Sequence, residues 1–267
     1  MTDKTSKEWW QSAYTNRYFK TRPSARISSE QTAKDTAFIV KTLNLKKGAK
    51  LLDLGCGHGR HTIALAELGY RVTGLDYSRD FIELAQKEAK AKGVSAQFVQ
   101  QDMREITYEA EFDAVISFFS SFGYFADDED NQLVLRKVAK ALKPSGILLI
   151  DLNSLGRTLR RYIANGRYDE KRQVFTLTRD KLFPTGQKGQ LQLDFDPKTM
   201  KSSWIYSWSE NGKPQQDKGE IRVYSLAEMI HLLKDAGLEF DRVWGGYEME
   251  DFTSISPRMI LKARKIE

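Results

Sequence analysis

Three glycines stand close together in the segment 53–59, which reads DLGCGHG. The apolar run KLLDL leads into this segment, and a stretch with helical spacing follows it. Glycine lacks a Cβ, so its backbone can turn tightly and come close to a ligand. In an open parallel sheet, a loop between a buried strand and a helix lies at the carboxyl edge, where ligands bind. Gly55, Gly57 and Gly59 are therefore predicted to form a binding loop.

An acidic residue at the end of the next strand-like run extends this pattern. Asp76 closes the run YRVTGLD and follows the glycines by about 20 residues, the spacing at which a carboxylate accepts hydrogen bonds from ribose hydroxyls. The dinucleotide fingerprint is G-x-G-x-x-G, whereas this chain has G-x-G-x-G. The sequence contains no G-x-x-x-x-G-K-[ST] pattern, which excludes a P-loop. A nucleoside ligand other than a dinucleotide is favoured.

Composition and charge are those of an ordinary globular protein. The chain has 267 residues, of which 40% are hydrophobic, and a net charge of +6. This length supports one core with an elaboration. Basic and acidic residues are mostly interleaved, which argues against a dedicated nucleic-acid surface. Cys56 has no second cysteine to pair with. Together with the lack of a membrane-spanning run or a signal-peptide core, this predicts a cytoplasmic protein.

The alternation of strand-like and helix-like segments predicts the fold class. Apolar runs such as GILLIDL are joined by helices, for which Ser28 and Ser78 are the expected N-caps. Such runs indicate a parallel sheet covered on both faces. The last two strands, LEFDRVWGG and RMILKA, are separated by only about a dozen residues, so they should pair antiparallel. We expect a doubly wound, mostly parallel seven-stranded sheet with an antiparallel last strand.

Between residues 157 and 224 the helical period disappears, and alternating stretches replace it. They read QVFTLT, GQLQLDFD, SSWIYSW and GEIRVYS, with turn signals at Pro184-Thr185-Gly186, Asp196-Pro197 and Asn211-Gly212. This region is predicted to be a small antiparallel β insertion. A last helix should begin at Ser225, where Glu228 completes a capping box.

The segment DLGCGHG, followed by Asp76 and then by QQDMREI at residues 100–106, resembles the class I S-adenosylmethionine-dependent methyltransferases. The resemblance covers roughly residues 30–155 and 225–265. It implies S-adenosyl-L-methionine as the cofactor and S-adenosyl-L-homocysteine as the product. The implied reaction is methyl transfer by in-line displacement to nitrogen or oxygen. The implied segments are an aromatic N-terminal cap (1–28), the cofactor-binding core (29–156), the insertion as a lid (157–224) and the C-terminal completion of the core (225–267).

The resemblance also implies roles for individual residues. The glycine loop would pass the methionine part of the cofactor, Asp53 would help hold its amino group, and Asp76 would bind the ribose. Asp102 would accept from the adenine amino group, with turn capping as its alternative, and Met103 would offer a backbone N–H. Phe119, beside Ser117 and Phe118, would pass near the sulfonium, although core packing of one phenylalanine is an alternative. The cofactor-binding residues expected on this basis are Tyr18, Asp53, Gly55, Cys56, Gly57, Gly59, Asp76, Tyr77, Asp102, Met103, Ser117 and Phe118.

A narrower resemblance lies in ISFFSSFGYF, residues 116–125. It is similar to a subgroup of small-molecule methyltransferases that includes amino-sugar N-methyltransferases, in which this segment lines the substrate cavity. Ser120, Ser121, Gly123 and Tyr124 are the substrate-side candidates. Some members have histidine where this chain has Tyr124, which puts a direct transfer of their substrate or base in doubt.

Only a hydroxyl acceptor needs a nearby proton acceptor, because an amine needs only to be neutral. The candidates are Tyr124, His61 and Tyr14, with Tyr18 beside them. The run EWWQSAYTNRYFKTRP could place Tyr14 or Tyr18 against the sulfonium, or could simply pack its aromatics on a sheet. His61 could equally be a polar residue of a first helical turn. His58 and His61 have no carboxylate cluster at ligand spacing, so no metal is expected.

Residues 157–188 hold nine basic residues against three acids, which indicates either a solvated face or a surface for an anionic substrate or an RNA backbone. The expected partner is a small-molecule acceptor, and the protein is a monomer or a homodimer. An RNA methyltransferase and a non-catalytic cofactor-binding protein are the two alternatives.

Overall fold

The computed structural model describes residues 8–15, 18, 27–184 and 186–266. The chain divides into two compact units. The core unit comprises residues 27–158 and 223–267, and the smaller unit comprises residues 1–26 and 159–222. Much of the predicted N-terminal cap, including Phe19, lies outside the described residues, as does Thr185 of one predicted turn.

The described strands and helices are numbered separately along the chain. The strands are β1 (Lys50–Leu54), β2 (Arg71–Asp76), β3 (Gln97–Gln100), β4 (Phe112–Ser117), β5 (Leu142–Asn153), β6 (Arg167–Asp169), β7 (Val174–Leu182), β8 (Lys188–Asp196), β9 (Lys201–Glu210), β10 (Lys213–Arg222), β11 (Leu238–Trp244) and β12 (Arg258–Lys265). The helices are α1 (Trp10–Ala13), α2 (Ser29–Leu43), α3 (Arg60–Glu67), α4 (Arg79–Ala91), α5 (Asp128–Ala141), α6 (Leu155–Asn165) and α7 (Leu226–Asp235).

The core unit is built on a sheet whose described strands number seven, in the order β11-β12-β5-β4-β1-β2-β3. Strands β1 to β5 pair parallel with one another, whereas β12 pairs antiparallel with both β5 and β11. The predicted fold class is confirmed. The order reverses at β1, so the loops after β1 and β4 meet at the carboxyl edge.

Helix starts in the core unit follow the predicted caps. Ser28 accepts a hydrogen bond from the Gln31 backbone N–H, and Ser78 accepts one from Phe81. Ser225 and Glu228 form both bonds of a capping box. The apolar faces of these helices cover the sheet, and Ile39, Leu51 and Ile116 lie in the buried core.

The smaller unit contains a five-stranded antiparallel sheet in its described part, in the order β10-β9-β8-β7-β6. Asn211 and Gly212 form the β9–β10 turn with positive φ angles, as their sequence predicts. Trp9, next to α1, packs edge-on against Trp204 of β9, with ring centroids 5.1 Å apart.

The prediction that helical structure is lacking from residue 157 onward is wrong at its start, because α6 covers residues 155–165. Leu155, Leu159 and Tyr162 recur at helical spacing, and Tyr162 is buried near Phe175 and Phe195. The many arginines between these residues obscured a short amphipathic period. None of the described helices is long and apolar enough to cross a membrane.

Candidate active site

The glycine loop between β1 and α3 comes into direct contact with the loop after β4. Gly55 has φ +75°, and a Cβ built on it would lie 2.6 Å from Ser121 Cβ. Ser121 donates from Oγ to the Gly55 carbonyl at 3.2 Å. A Cβ on Gly55 would also lie 3.8 Å from Met103 Cε. Because Gly55 has no Cβ, the loops after β1 and β4 can approach each other this closely, next to Met103.

Asp76 ends β2 with its carboxylate turned to the same loop. Its Oδ2 accepts from the Gly57 N–H at 2.8 Å, and its Oδ1 accepts from the Ser78 N–H at 2.8 Å. The Tyr77 backbone also interacts with this carboxylate. These backbone bonds hold the carboxylate in place at the loop, where it can accept from the hydroxyls of a ribose. Tyr77, next to it, is 38% exposed.

Asp53, in β1, and Cys56, in the loop itself, are both buried. Asp53 is buried and accepts from Thr62 Oγ1 at 2.7 Å. Burial raises the pKa of the Asp53 carboxyl above its ordinary value. Cys56 is also buried, and a Cβ on Gly74 would lie 3.0 Å from its Sγ. Cys56 therefore fills a small space, while the predicted contact of Asp53 with the cofactor amino group stays a prediction.

Asp102, which the resemblance assigns to the adenine amino group, has its carboxylate already engaged. Arg104 donates to it from Nη2 at 2.7 Å and from its backbone N–H at 2.9 Å. Arg104 also donates to Asp130, and its Cζ lies 4.2 Å from the Phe125 ring centroid. Asp102 therefore caps the turn that leads to Arg104, which is the alternative role considered above. If Asp102 also contacts adenine, it does so with a carboxylate that is already bonded to Arg104.

The two phenylalanines that follow β4 differ in exposure. Ser117 is buried at the strand end, and Phe118 is buried in the core cluster. Phe119 is 39% exposed, and the Arg60 guanidinium lies 4.1 Å from its centroid. Core packing is thus the observed state of Phe118, and Phe119 is the ring that remains open to a ligand.

Phe119 and Ser120 have φ angles of +62° and +61°, which residues with a side chain rarely adopt. Asp151 of β5 binds this turn, since its Oδ2 accepts from the Phe119 N–H and its backbone carbonyl from the Ser120 N–H, both at 2.9 Å. Asp151 also pairs with Arg258, at 2.7 Å between Nε and Oδ1, and accepts from the Tyr247 hydroxyl at 2.7 Å.

The sequence interpretation missed Asp151, Arg258 and Tyr247. Asp151 and Arg258 are 107 residues apart in the chain. Asp151 lies within an apolar run, and a buried acid in such a run is a usable signal because burial of a charge requires a partner. Burial, together with the charge of Asp151, raises the pKa of the Tyr247 hydroxyl well above its ordinary value.

His61, a predicted proton acceptor, is buried in the first turn of α3. Its Nε2 lies 3.3 Å from Asp35 Oδ2, and its ring packs edge-on against Phe118. Arg60 donates to the same Asp35 oxygen at 2.6 Å. His61 is thus a polar residue in the first turn of a helix, the alternative considered above. Its catalytic role stays a prediction.

The remaining candidates are placed as follows. Tyr124 is half-buried in the segment after β4, which Asn131 holds by bonding to the Phe125 backbone. Tyr14 and Tyr18 belong to the smaller unit, where their ring centroids lie 5.4 Å apart. Their roles toward the cofactor, and that of Tyr124 toward the substrate, stay predictions.

The electrostatics of Asp76 predict a pH-dependent affinity for a ribose ligand. Burial raises the pKa of Asp76 from 3.8 to about 6, against the opposing effect of its backbone hydrogen bonds. The raised pKa of Asp76 stabilises the folded protein at pH values below the ordinary pKa of the carboxyl. This contribution to stability is lost as the pH rises through about 6. The ionised form is the stronger acceptor.

As the pH rises toward the Asp76 pKa, we therefore expect the Kd for S-adenosylhomocysteine to fall by up to about tenfold per pH unit. Above that pKa the Kd should stay constant. Titrations at several pH values on wild type and on Asp76→Asn measure this. The variant should show a flat profile, and an unchanged slope in the variant would assign the pH dependence to another group.

Comparisons with known proteins agree with this geometry. The family model described as a methyltransferase domain matches residues 51–146. The cypemycin N-terminal methyltransferase of a Streptomyces species is 29% identical over 214 residues, covering 80% of this chain and 82% of that protein. The dTDP-3-amino-3,6-dideoxy-alpha-D-glucopyranose N,N-dimethyltransferase of Streptomyces fradiae is 31% identical over 119 residues, 45% of each chain.

A solved structure extends the fold likeness to nearly the whole chain. The CcbJ methyltransferase from Streptomyces caelestis superposes with a TM-score of 0.79 at 17% identity, covering 97% of this chain and 98% of that one. The glycine loop, Asp76 at the end of β2 and the antiparallel β12 are features that the sequence predicted. Residues 51–146 match a methyltransferase domain, and the chain is similar in fold to the class I S-adenosylmethionine-dependent methyltransferases.

Proposed function

We propose that this methyltransferase transfers its methyl group to the nitrogen of a small-molecule amine. The cofactor supplies an electrophilic methyl group on its sulfonium. The protein must hold the acceptor in line with that group and exclude water. The glycine loop and Asp76 would bind the cofactor, and the exposed ring of Phe119 would form one wall beside the methyl group.

The observation that carries this proposal is the state of the ionisable side chains around Phe119. Among the described residues that contact its ring, Arg60 is paired with Asp35 and Arg258 with Asp151. His61 bonds to Asp35, and Tyr247 donates to Asp151. A hydroxyl acceptor would need a base to remove its proton, whereas a neutral amine is nucleophilic enough to attack the methyl group and lose its proton afterwards. This arrangement favours nitrogen over oxygen.

The named activities of the relatives support the same choice. The Streptomyces fradiae relative is by its name an N,N-dimethyltransferase of an amino sugar, and the cypemycin enzyme acts by its name at an N-terminus. For this chain we propose a small amine of that kind. The net charge of +6 permits an acceptor with an anionic group, and the single cysteine suits a reducing compartment such as the cytoplasm.

The test uses matched pairs of acceptors that differ in one atom. Glycine is paired with glycolate, an alanyl peptide with its lactyl analogue, and a dTDP-3-amino sugar with its 3-hydroxy counterpart. Release of S-adenosylhomocysteine is measured for each, with Asp76→Ala as the control for site dependence. We expect turnover with an amine member alone, at a rate that rises with pH as the neutral amine fraction rises. Faster turnover of a hydroxyl member would contradict the proposal.

A further inference from the structure

The turn at Phe119 and Ser120 is a backbone conformation that the sequence alone does not favour. Both residues lie in the left-handed region, and neither is glycine. Such residues persist only where the surroundings determine them, and they cluster at functional sites. This turn leads from β4 into the segment 118–125, and it carries the exposed ring of Phe119.

Three side chains from distant parts of the core unit surround this turn and fix its conformation. Asp151 has no exposed surface, and its carboxylate accepts from the Phe119 N–H, the Tyr247 hydroxyl and Arg258. Arg258 Nη1 donates to Asn153 Oδ1 at 2.6 Å. A buried carboxylate with this many donors is fixed in position, because loss of any one donor leaves unpaired buried charge.

The same network reaches the Phe119 ring itself. The Tyr247 ring is nearly parallel to it, at an interplanar angle of 13° and a centroid distance of 6.5 Å. The Arg258 guanidinium lies 5.7 Å from the Phe119 centroid. The Phe119 backbone is thus bound by Asp151, and its ring lies beside Tyr247 and Arg258, with the Arg60 guanidinium also 4.1 Å from its centroid.

We propose that Asp151, Arg258 and Tyr247 are positioning residues that set the place of the Phe119 ring against the sulfonium methyl group of the cofactor. This inference rests on the proposed function. None of the three needs to touch the cofactor, because they act through Phe119. Replacing them should therefore change binding mainly at the sulfonium methyl group, the part of the ligand that Phe119 faces.

S-adenosylhomocysteine lacks the methyl group and the positive charge of S-adenosylmethionine. Comparing the affinities for these two ligands therefore distinguishes a positioning role from a general structural role. An aromatic ring stabilises a nearby cation. In Arg258→Lys and in the milder Tyr247→Phe, we expect affinity for S-adenosylmethionine to fall about tenfold, with affinity for S-adenosylhomocysteine changed less than about twofold. A purely structural defect would weaken both ligands together.

The experiment is calorimetric titration of both ligands on wild type, Arg258→Lys, Tyr247→Phe, Phe119→Leu and the double variant Arg258→Lys/Phe119→Leu. Arg264→Lys is the matched control, since Arg264 lies on the same strand but is exposed and pairs only with Asp241 among the contacts described. Phe119→Leu should reproduce the selective loss. The double variant should lose no more than Phe119→Leu alone, because residues that act through one group are not additive.

Equal weakening of both ligands, unchanged affinities, or additive losses in the double variant would overturn the positioning role. If Arg258→Lys fails to fold, Tyr247→Phe decides, because its ring and fold contacts remain. Failure of wild type to bind either ligand would instead contradict the proposed function.

Discussion

Replacing Asp76 with Ala is expected to weaken the binding of S-adenosylhomocysteine by about 100-fold, the loss of two charge-assisted hydrogen bonds to the ribose. The geometry supports this size of effect, because the backbone N–H groups of Gly57 and Ser78 hold the carboxylate at the loop. Isothermal titration measures the change directly.

Two further variants separate the ribose contact from loop folding. Asp76→Asn keeps the shape and one acceptor, so it should fall between wild type and Asp76→Ala. Glu83→Gln removes one negative charge from the exposed surface of α4, where Glu83 pairs with Arg79, and should bind as wild type does. An Asp76→Ala protein that keeps its affinity would remove Asp76 from the cofactor site.

Replacing Gly55 with Ala is expected to have the second large effect. The new Cβ would lie 2.6 Å from Ser121 Cβ, in a residue with φ +75°. Backbone strain and overpacking together should lower the free energy of unfolding by about 2–4 kcal/mol. The loops after β1 and β4 would also be pushed apart, so binding of S-adenosylhomocysteine should fall more than about 100-fold.

Gly48→Ala is the matched control for this variant. Gly48 has φ +84°, but a Cβ built there would meet nothing within 4 Å. It should cost only about 1 kcal/mol of stability, from the backbone conformation alone, and leave cofactor binding unchanged. Thermal denaturation and titration of both variants measure the two effects. Equal behaviour of the two variants would mean that the close approach of Gly55 to Ser121 is unimportant.

The elements that follow local rules could be predicted from the sequence. The glycine loop, the acid at the end of β2 and the caps at Ser78 and Ser225 depend on neighbouring residues, so their patterns are visible in short windows. The antiparallel pairing of β11 with β12 followed from the short connection between them. The residues 155–165 were missed because frequent arginines broke an otherwise helical spacing.

The parts of the site that depend on distant contacts could not be predicted. Asp102 matches the family pattern, but its ion pair with Arg104 was not inferred from the segment QQDMREI. Strand alternation could not show which of Phe118 and Phe119 is exposed, because β4 ends at Ser117 and a left-handed turn follows. Asp151 meets Tyr247 across 96 residues of chain, a contact that only the folded sheet produces.

The measurement that tests the central claim most directly is titration of wild-type protein with S-adenosylmethionine, S-adenosylhomocysteine and NAD. The account predicts micromolar or tighter binding of the first two ligands, and no binding of NAD at the same concentrations. Binding of NAD in place of both adenosyl ligands, or binding of none of the three, would contradict the assignment of the glycine loop and Asp76 to S-adenosylmethionine.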